Sequence, residues 1–397
     1  MQWCLDIGAI PVMTVSDYAC TPEEAGELVE FLNAPADDLH PWAKKRAEGG
    51  HPLPYMVKYF ELGNETYHGN HDMVPFRAMN ASEYNTWVLG CTKAMRKADE
   101  KISVGVVLKH EDDDWNENVL KGTKDAADFV IYHAYSIGLW SESAAAFAVD
   151  RIMRGCLVGA DQFEQNLKDI SSMTVRLTGR KIPIAVTEYN TACVQEKPIP
   201  YRWTYGSAFY NADFFRVMLK TENNVLMGNY WQYINSYWGM LQSSSEAENN
   251  MLAGKDVRWK KMPAFYAFRL WGQHTGEKIV STTIQSPKID FEGYGNLRPA
   301  SRDAITAFAS MRNDGKTICL MVFNRHPANP MSVTISFKDM AISSARMWQM
   351  NSEHLTNMNY VRETAKETVS DASVPIAEGV ISGLVLPKHS ITALEIQ

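Results

Sequence analysis

The 397-residue sequence contains no run approaching the ~20 consecutive apolar residues of a membrane-spanning helix, so no membrane partner is expected. It has no basic excess either. Its 39 Lys and Arg stand against 46 Asp and Glu, a formal net charge of −7 spread along the chain, which argues against nucleic acid or an anionic membrane as a partner. No phosphate-cradling glycine loop is present, and the expectation is that no cofactor is needed. Cysteine is sparse: Cys4, Cys20, Cys91, Cys156, Cys193 and Cys319 form no CxxC pair and no Cys/His cluster with zinc-type spacing. They read as free, mostly buried thiols, which favours a reducing, cytoplasmic compartment. The N-terminal MQWCLDIGAIPVMTV lacks the basic and apolar regions of a secretory signal and reads as the end of a helix running into a strand. A small or neutral substrate fits this composition best.

What is present is material for a large core: 45% hydrophobic and 11% aromatic residues, enough for two domains. Short β-branched and apolar runs alternate with longer helical periodicities, the pattern of βα units around a parallel sheet. Strands are expected over Ile10 to Val15, Val57 to Leu62, Ile102 to Leu108, Phe129 to His133, Ile182 to Thr187 and Val225 to Trp231. Helices are expected over Thr21 to Leu32, Ala81 to Ala98, Asp161 to Leu177 and Tyr205 to Leu219. Thr21 with Glu24 forms a capping box, with Pro22 at the first helical position. From about residue 276 the long helices cease, and strands follow at Lys278 to Ile284, Ala304 to Met311, Thr317 to Phe323, Ser332 to Phe337, Ala345 to Met350 and Gly379 to Leu386. The expected fold is therefore α/β: a (β/α)8 TIM-type barrel over 1–275, incomplete at its N-terminus, and an all-β sandwich over 276–397. A closed barrel needs eight strands, and only six candidates precede the sandwich.

Two strands carry the chemistry. Val57-Lys58-Tyr59-Phe60-Glu61-Leu62-Gly63-Asn64-Glu65 ends in Gly-Asn-Glu, placing Glu65 at the C-terminal face where barrel active sites gather. The bland alternative is a polar strand end. Ile182-Pro183-Ile184-Ala185-Val186-Thr187-Glu188-Tyr189-Asn190 repeats the arrangement with a single Glu188. The pair is more telling than either member, because glycoside hydrolysis needs two carboxyl groups in opposite protonation states flanking one bond. With Ile10 to Val15 counted as a third strand, Glu65 falls on the fourth and Glu188 on the seventh. That placement predicts a retaining mechanism with carboxyls roughly 5 to 5.5 Å apart.

The runs CLDIGAIPVMTVSDYACTPEEAGELVEFLN, GGHPLPYMVKYFELGNE, DFVIYHAYS and AVTEYN, in that order and spacing, resemble the glycoside hydrolase family 51 α-L-arabinofuranosidases. In the sandwich, LMVFNRHPANPMSVTI and LPKHSITALEI are similar to the tail of that family. The resemblance implies an acid/base role for Glu65 beside Asn64, a nucleophilic role for Glu188, and a sugar subsite lined by His133, Tyr135 and Gln232. It also implies two further βα units ahead of the first helix here, which this sequence lacks. The substrate implied is an arabinose-containing oligosaccharide or polysaccharide, and homo-oligomerisation is left open. A β-xylosidase or endo-β-glucanase of the same barrel clan, or an inactive carbohydrate-binding barrel remnant, are the rival readings.

Other residues have weaker claims. Glu61 reads as a barrel-interior carboxylate satisfied by basic or hydroxyl partners. His68, His71 and Asp72 lie in a loop and are not expected to hold a metal. Glu111 to Asp114 reads as a solvated acidic loop, with Trp115 able to stack on a sugar face. Tyr230, Trp231, Tyr233, Tyr237 and Trp238 form an aromatic cluster of which about half should be core. Asn64-Glu65-Thr66 and Asn80-Ala81-Ser82 match the glycosylation pattern and are taken as chance.

Overall fold

The computed structural model describes residues 1–69, 77–109, 112–139, 147–191, 201–234, 238–242, 259–338, 340, 342–358, 367–370, 374 and 376–397. Helix α1 (Gln2–Ile7) runs into β1 (Val12–Val15), as the sequence leads one to expect. Helices α2 (Pro22–Asn33) and α3 (Pro41–Glu48) precede β2 (Tyr59–Leu62), α4 (Ala81–Ala98) precedes β3 (Ser103–Val107), and α5 (Asp113–Thr123) precedes β4 (Phe129–Ser136). Next come α6 (Val149–Thr178), β5 (Ile184–Thr191), α7 (Tyr205–Leu219) and β6 (Val225–Tyr230).

These six strands form one sheet in chain order, β1-β2-β3-β4-β5-β6, and β1 to β4 pair in parallel. Sequential order with a helix in every connection is the winding of a (β/α) barrel; a doubly wound sheet reverses its order at a switch point. The expected α/β class and the count of six strands are both met.

Local chemistry starts the helices where it should. Thr21 Oγ1 accepts from Glu24 N at 3.2 Å while Glu24 Oε2 accepts from Thr21 N at 2.8 Å, so the capping box forms as read. Asn80 and Glu83 build the same box on α4, the Asn80 side chain accepting from two backbone amides at 3.0 Å each.

The acidic run is corrected by the structure. From Asp112 on it is not a loop: Asp112 Oδ1 accepts from Trp115 N at 2.9 Å as the cap of α5, and Asp113 and Asp114 fill the first turn, where carboxylates complement the helix dipole. Trp115 is not a sugar platform. It is buried, packs on Tyr67 and Tyr84, and donates Nε1–H to Val107 O at 3.1 Å.

Two compact units are distinguished. One comprises Met1–His133, Leu167–Thr187 and Thr221–Gly228; the other comprises Ala134–Asn166, Glu188–Lys220 and Asn229–Gln397. The second unit continues through the short strands β7 (Leu241–Gln242) and β8 (Lys260–Lys261) and helix α8 (Pro263–Gln273). Then follow β9 (Lys278–Val280), β10 (Lys288–Phe291), β11 (Ala300–Asp303), β12 (Ile305–Met311), β13 (Ile318–Asn324) and β14 (Met331–Ser336). The chain closes with β15 (Ala345–Met350), β16 (Glu367–Ser370), β17 (Ile376–Ala377), β18 (Val380–Leu386) and β19 (Ile391–Ile396).

A six-stranded sheet β16-β15-β19-β13-β12-β9 faces a three-stranded sheet β14-β18-β17. Ile305, Leu320, Val322, Leu394 and Ile396 of the first sheet pack with Ile381 and Leu386 of the second, one apolar core between two antiparallel layers. The expected sandwich is present.

The same unit buries an ionic cluster. Arg325, fully buried, reaches Asp161 Oδ2 and Oδ1 at 2.6 and 2.7 Å and also Asp213; Arg216 reaches Asp213 Oδ1 at 2.6 Å and Asp161 Oδ1 at 2.9 Å. Burial alone would raise both carboxyls, but the two guanidinium charges outweigh it and hold them below the usual carboxylate range.

Candidate active site

The Glu65 side of the site is built by the ends of neighbouring strands. Tyr84 of α4 donates to Leu62 O at 2.6 Å and accepts from Val107 N at 2.8 Å, so one buried phenol joins the ends of β2 and β3. Gly63 N donates to Val15 O at 2.9 Å, tying the following turn to β1. Gly63 adopts φ 86°, and a Cβ there would meet Thr66 Oγ1 at 2.3 Å, so glycine is required on both counts. Glu65 itself sits at φ 48°, left-handed backbone that costs a residue with a side chain about 1–3 kcal/mol and that concentrates at functional sites. His68 N closes the turn on Glu65 O at 2.7 Å.

From this turn Glu65 Oε1 lies 2.9 Å from Nδ1 of His133 on β4. His133 is buried, and its Nε2 lies 3.2 Å from Thr187 Oγ1 on β5. Thr187 in turn donates to Glu61 Oε1 at 3.1 Å, and Thr14 of β1 donates to Glu61 Oε2 at 3.3 Å. Four strands thus contribute to one chain of hydrogen bonds running Glu65, His133, Thr187, Glu61, Thr14. The sequence pointed to Glu61 as a carboxylate satisfied by basic or hydroxyl partners, and two hydroxyls hold it. Thr187 and Thr14 carried no signal of their own, because their partners lie 126 and 47 residues away along the chain.

Asp17, at the end of β1, was also missed. It is buried, its Cβ lies 3.6 Å from where a Gly63 side chain would begin, and burial raises its carboxyl against the lowering pull of its own amide, Thr66, Asn64 and Arg77.

Glu188 lies inside β5, which runs on to Thr191 rather than stopping at Thr187 as the sequence suggested. Tyr135 Oη donates to Glu188 Oε2 at 2.6 Å, the short distance of a hydroxyl bonded to a charged oxygen. The Tyr135 ring rests 5.5 Å from that of Trp238, over which the Arg202 guanidinium sits at 4.2 Å. Asn296 Nδ2 donates to Tyr135 O at 2.9 Å, so both ends of Tyr135 are fixed. Next along β5, Asn190 Nδ2 donates to Trp231 O at 2.7 Å and to Tyr230 Oη at 3.2 Å.

Of the six expected site residues, two pairs are brought together: Glu65 with His133, and Glu188 with Tyr135. Asn64 is half-buried in the turn after β2. Gln232 follows β6, its carbonyl accepting from Met240 N at 3.2 Å. Among the described residues neither the Asn64 nor the Gln232 side chain makes a hydrogen bond. The aromatic cluster is less buried than expected: Tyr230, packed on Tyr189 and Phe268, and Trp238, packed on Tyr135, are half-buried, while Trp231 and Tyr233 are exposed. His71, Asp72, Glu111, Cys193 and Tyr237 lie outside the described residues.

A family model described as "Alpha-L-arabinofuranosidase C-terminal domain" matches residues 187–390, and one described as "Alpha-L-arabinofuranosidase 1 domain" matches residues 1–148. A curated relative, the intracellular exo-alpha-L-arabinofuranosidase of Bacteroides ovatus, is 23% identical over an alignment that covers 100% of this chain and 74% of the relative. Among solved structures, the Thermotoga maritima alpha-L-arabinofuranosidase in complex with arabinose superposes with a TM-score of 0.80 at 23% identity, covering 99% of this chain and 77% of that one. The thermostable GH51 alpha-L-arabinofuranosidase of Thermotoga petrophila gives the same score and identity over 100% of this chain and 77% of its own.

Proposed function

The chain belongs to the α-L-arabinofuranosidase family, and from that premise we propose that it releases terminal α-L-arabinofuranosyl groups from arabinose-containing oligosaccharides and polysaccharide fragments with retention of configuration. Glu188 attacks the anomeric carbon as a carboxylate while Glu65 gives its proton to the departing glycosidic oxygen, leaving a glycosyl ester on Glu188. Glu65, now a carboxylate, takes a proton from water as that water attacks the same carbon. The C–O bond to Glu188 breaks, and both groups return to their starting states.

One observation carries this reading: β4 presents a separate hydrogen-bonding partner to each carboxylate, His133 to Glu65 and, two residues on, Tyr135 to Glu188. Two carboxyl groups in different company are what an acid and a nucleophile require. Glu188 faces a hydroxyl donor that favours its charged form, whereas Glu65 faces an imidazole able to exchange a proton with it. Asn64 and Gln232, at the ends of β2 and β6, would bind sugar hydroxyls. The free thiols and the relative named as intracellular support a cytoplasmic site of action.

The test is a panel of aryl glycosides with product configuration read by NMR. Hydrolysis of the α-L-arabinofuranoside with arabinose first released as the α anomer is expected. Turnover of the β-xyloside or a cello-oligosaccharide instead would replace the glycone, and binding without turnover of any member would make the chain a carbohydrate-binding remnant.

A further inference from the structure

We propose that Glu61 and Thr187 are positioning residues for the acid/base group: by the order in which their hydrogen bonds donate and accept, they keep a proton on His133 Nε2, so that Nδ1 and Glu65 share one further proton. The inference deepens the functional reading above and rests on Glu65 being the acid/base.

It follows from counting protons. Glu61 is buried, and as a carboxylate it can only accept. It takes one hydroxyl on each oxygen, from Thr187 at 3.1 Å and from Thr14 at 3.3 Å. A threonine hydroxyl has one proton, and Thr187 has given its own to Glu61. Towards His133 Nε2, 3.2 Å away, Thr187 Oγ1 can then only accept, so Nε2 carries a hydrogen. The other ring nitrogen, Nδ1, faces Glu65 Oε1 at 2.9 Å, and two arrangements satisfy that contact. Either protonated Glu65 donates to a bare Nδ1, or a doubly protonated imidazolium donates to the Glu65 carboxylate. Both hold the same number of protons.

That shared proton is the one the reaction uses. In the first step it passes to the departing oxygen, leaving a carboxylate opposite a bare Nδ1, a pairing of two acceptors with a raised affinity for a proton. The attacking water supplies one in the second step, and the pair is restored without exchange with bulk solvent. The Glu61 charge, with His133 Nε2 4.0 Å from its Oε1, raises this affinity further.

Other charged or titratable groups surround the chain. Asp17 sits at the end of β1, Arg77 acts on Asp17, and Tyr84 of α4 feels both Asp17 and Glu61. His68 follows in the Glu65 turn, while Tyr135 and Glu188 come next on β4 and β5. The hydrogen-bond contact at His133 Nε2 is to Thr187 Oγ1.

The experiment labels histidine with 15N in the full chain and assigns His133 by its loss in His133→Gln. The wild type should show His133 protonated at Nε2 throughout its titration. In Glu61→Gln and Thr187→Val the ring should lose its proton at a pH lower by about one unit, and Thr187→Ser should restore it. In the aryl arabinofuranoside assay the basic limb of kcat/KM should move down by the same amount in those two variants and return in Thr187→Ser. A neutral His133 protonated at Nδ1 in the wild type, or an unmoved titration and basic limb in both variants, overturns the proposal. A folded wild type that cleaves no aryl glycoside overturns the functional reading itself, and is seen before any variant is made.

Discussion

Tyr135→Phe removes one hydroxyl and leaves the ring in place against Trp238, so its effect can be worked out from a single bond. The Tyr135 Oη to Glu188 Oε2 distance of 2.6 Å marks a hydrogen bond to a charged oxygen, worth about 1.5–3 kcal/mol. When Glu188 attacks, its charge passes to the sugar and this bond weakens, so losing it slows the first step little. When the glycosyl ester breaks, the carboxylate reforms and the bond is regained. Its absence then costs the second step its full worth, a factor of about 10–150 at 1.4 kcal/mol per tenfold. The expected signature is a kcat lowered by roughly that factor, a KM lowered with it, and kcat/KM changed little. Rapid mixing with p-nitrophenyl α-L-arabinofuranoside should show a burst of p-nitrophenol as the ester accumulates. A kcat within twofold of the parent, or kcat and kcat/KM falling together without a burst, would refute the reasoning.

Further predictions concern the frame. Arg325→Met leaves Asp213 buried and Asp161 half-buried with Arg216 still bonded to both, and breaking a buried ion pair costs about 3–5 kcal/mol, measurable by urea unfolding of the full chain. Because both carboxyls are held low in the folded state, the stability they contribute is fully present above the unfolded value of about 3.9 and is lost as pH falls through their folded values. Acid unfolding of the parent should therefore set in below about pH 4, and Arg325→Met should move it upward. Gly63→Ala places a Cβ 2.3 Å from Thr66 Oγ1 at φ 86°, so it should lower stability by at least about 1 kcal/mol and cut kcat by displacing Glu65. Unchanged kcat in a folded Gly63→Ala protein would separate the turn from the chemistry.

Much of this was legible in the sequence because it is written in short-range patterns. Thr21 with Glu24 marks a helix start whatever the tertiary context, and the apolar runs before Gly63 and Glu188 mark strand ends within a few residues. The end of long helices near residue 276 likewise marked the sandwich, with strands read at Ala345 to Met350 and Gly379 to Leu386 among them. The failures share a physical cause. Asp112 to Asp114 look the same in a solvated loop and in the first turn of a helix, and only the apolar stripe beginning at Trp115 and continuing at Val119 and Leu120 separates the two. Helix α6 begins twelve residues before the Asp161 start read from the sequence, since Gly155 and Gly159 lower helix propensity locally while tertiary packing overrides it. The hydroxyl chain through Thr187 joins residues remote in sequence, so no local pattern announces it.

The central claim is the division of labour between two carboxylates, and azide rescue tests it most directly. Glu65→Ala and Glu188→Ala should each lose at least about 10²-fold of the parent rate on p-nitrophenyl α-L-arabinofuranoside. Added azide should restore Glu65→Ala by replacing the water that needs a base, giving the arabinosyl azide of retained configuration. In Glu188→Ala azide should take the place of the missing nucleophile and give the inverted azide. Retained azide from both variants, inverted azide from Glu65→Ala, or a parent-like rate in either would contradict the account.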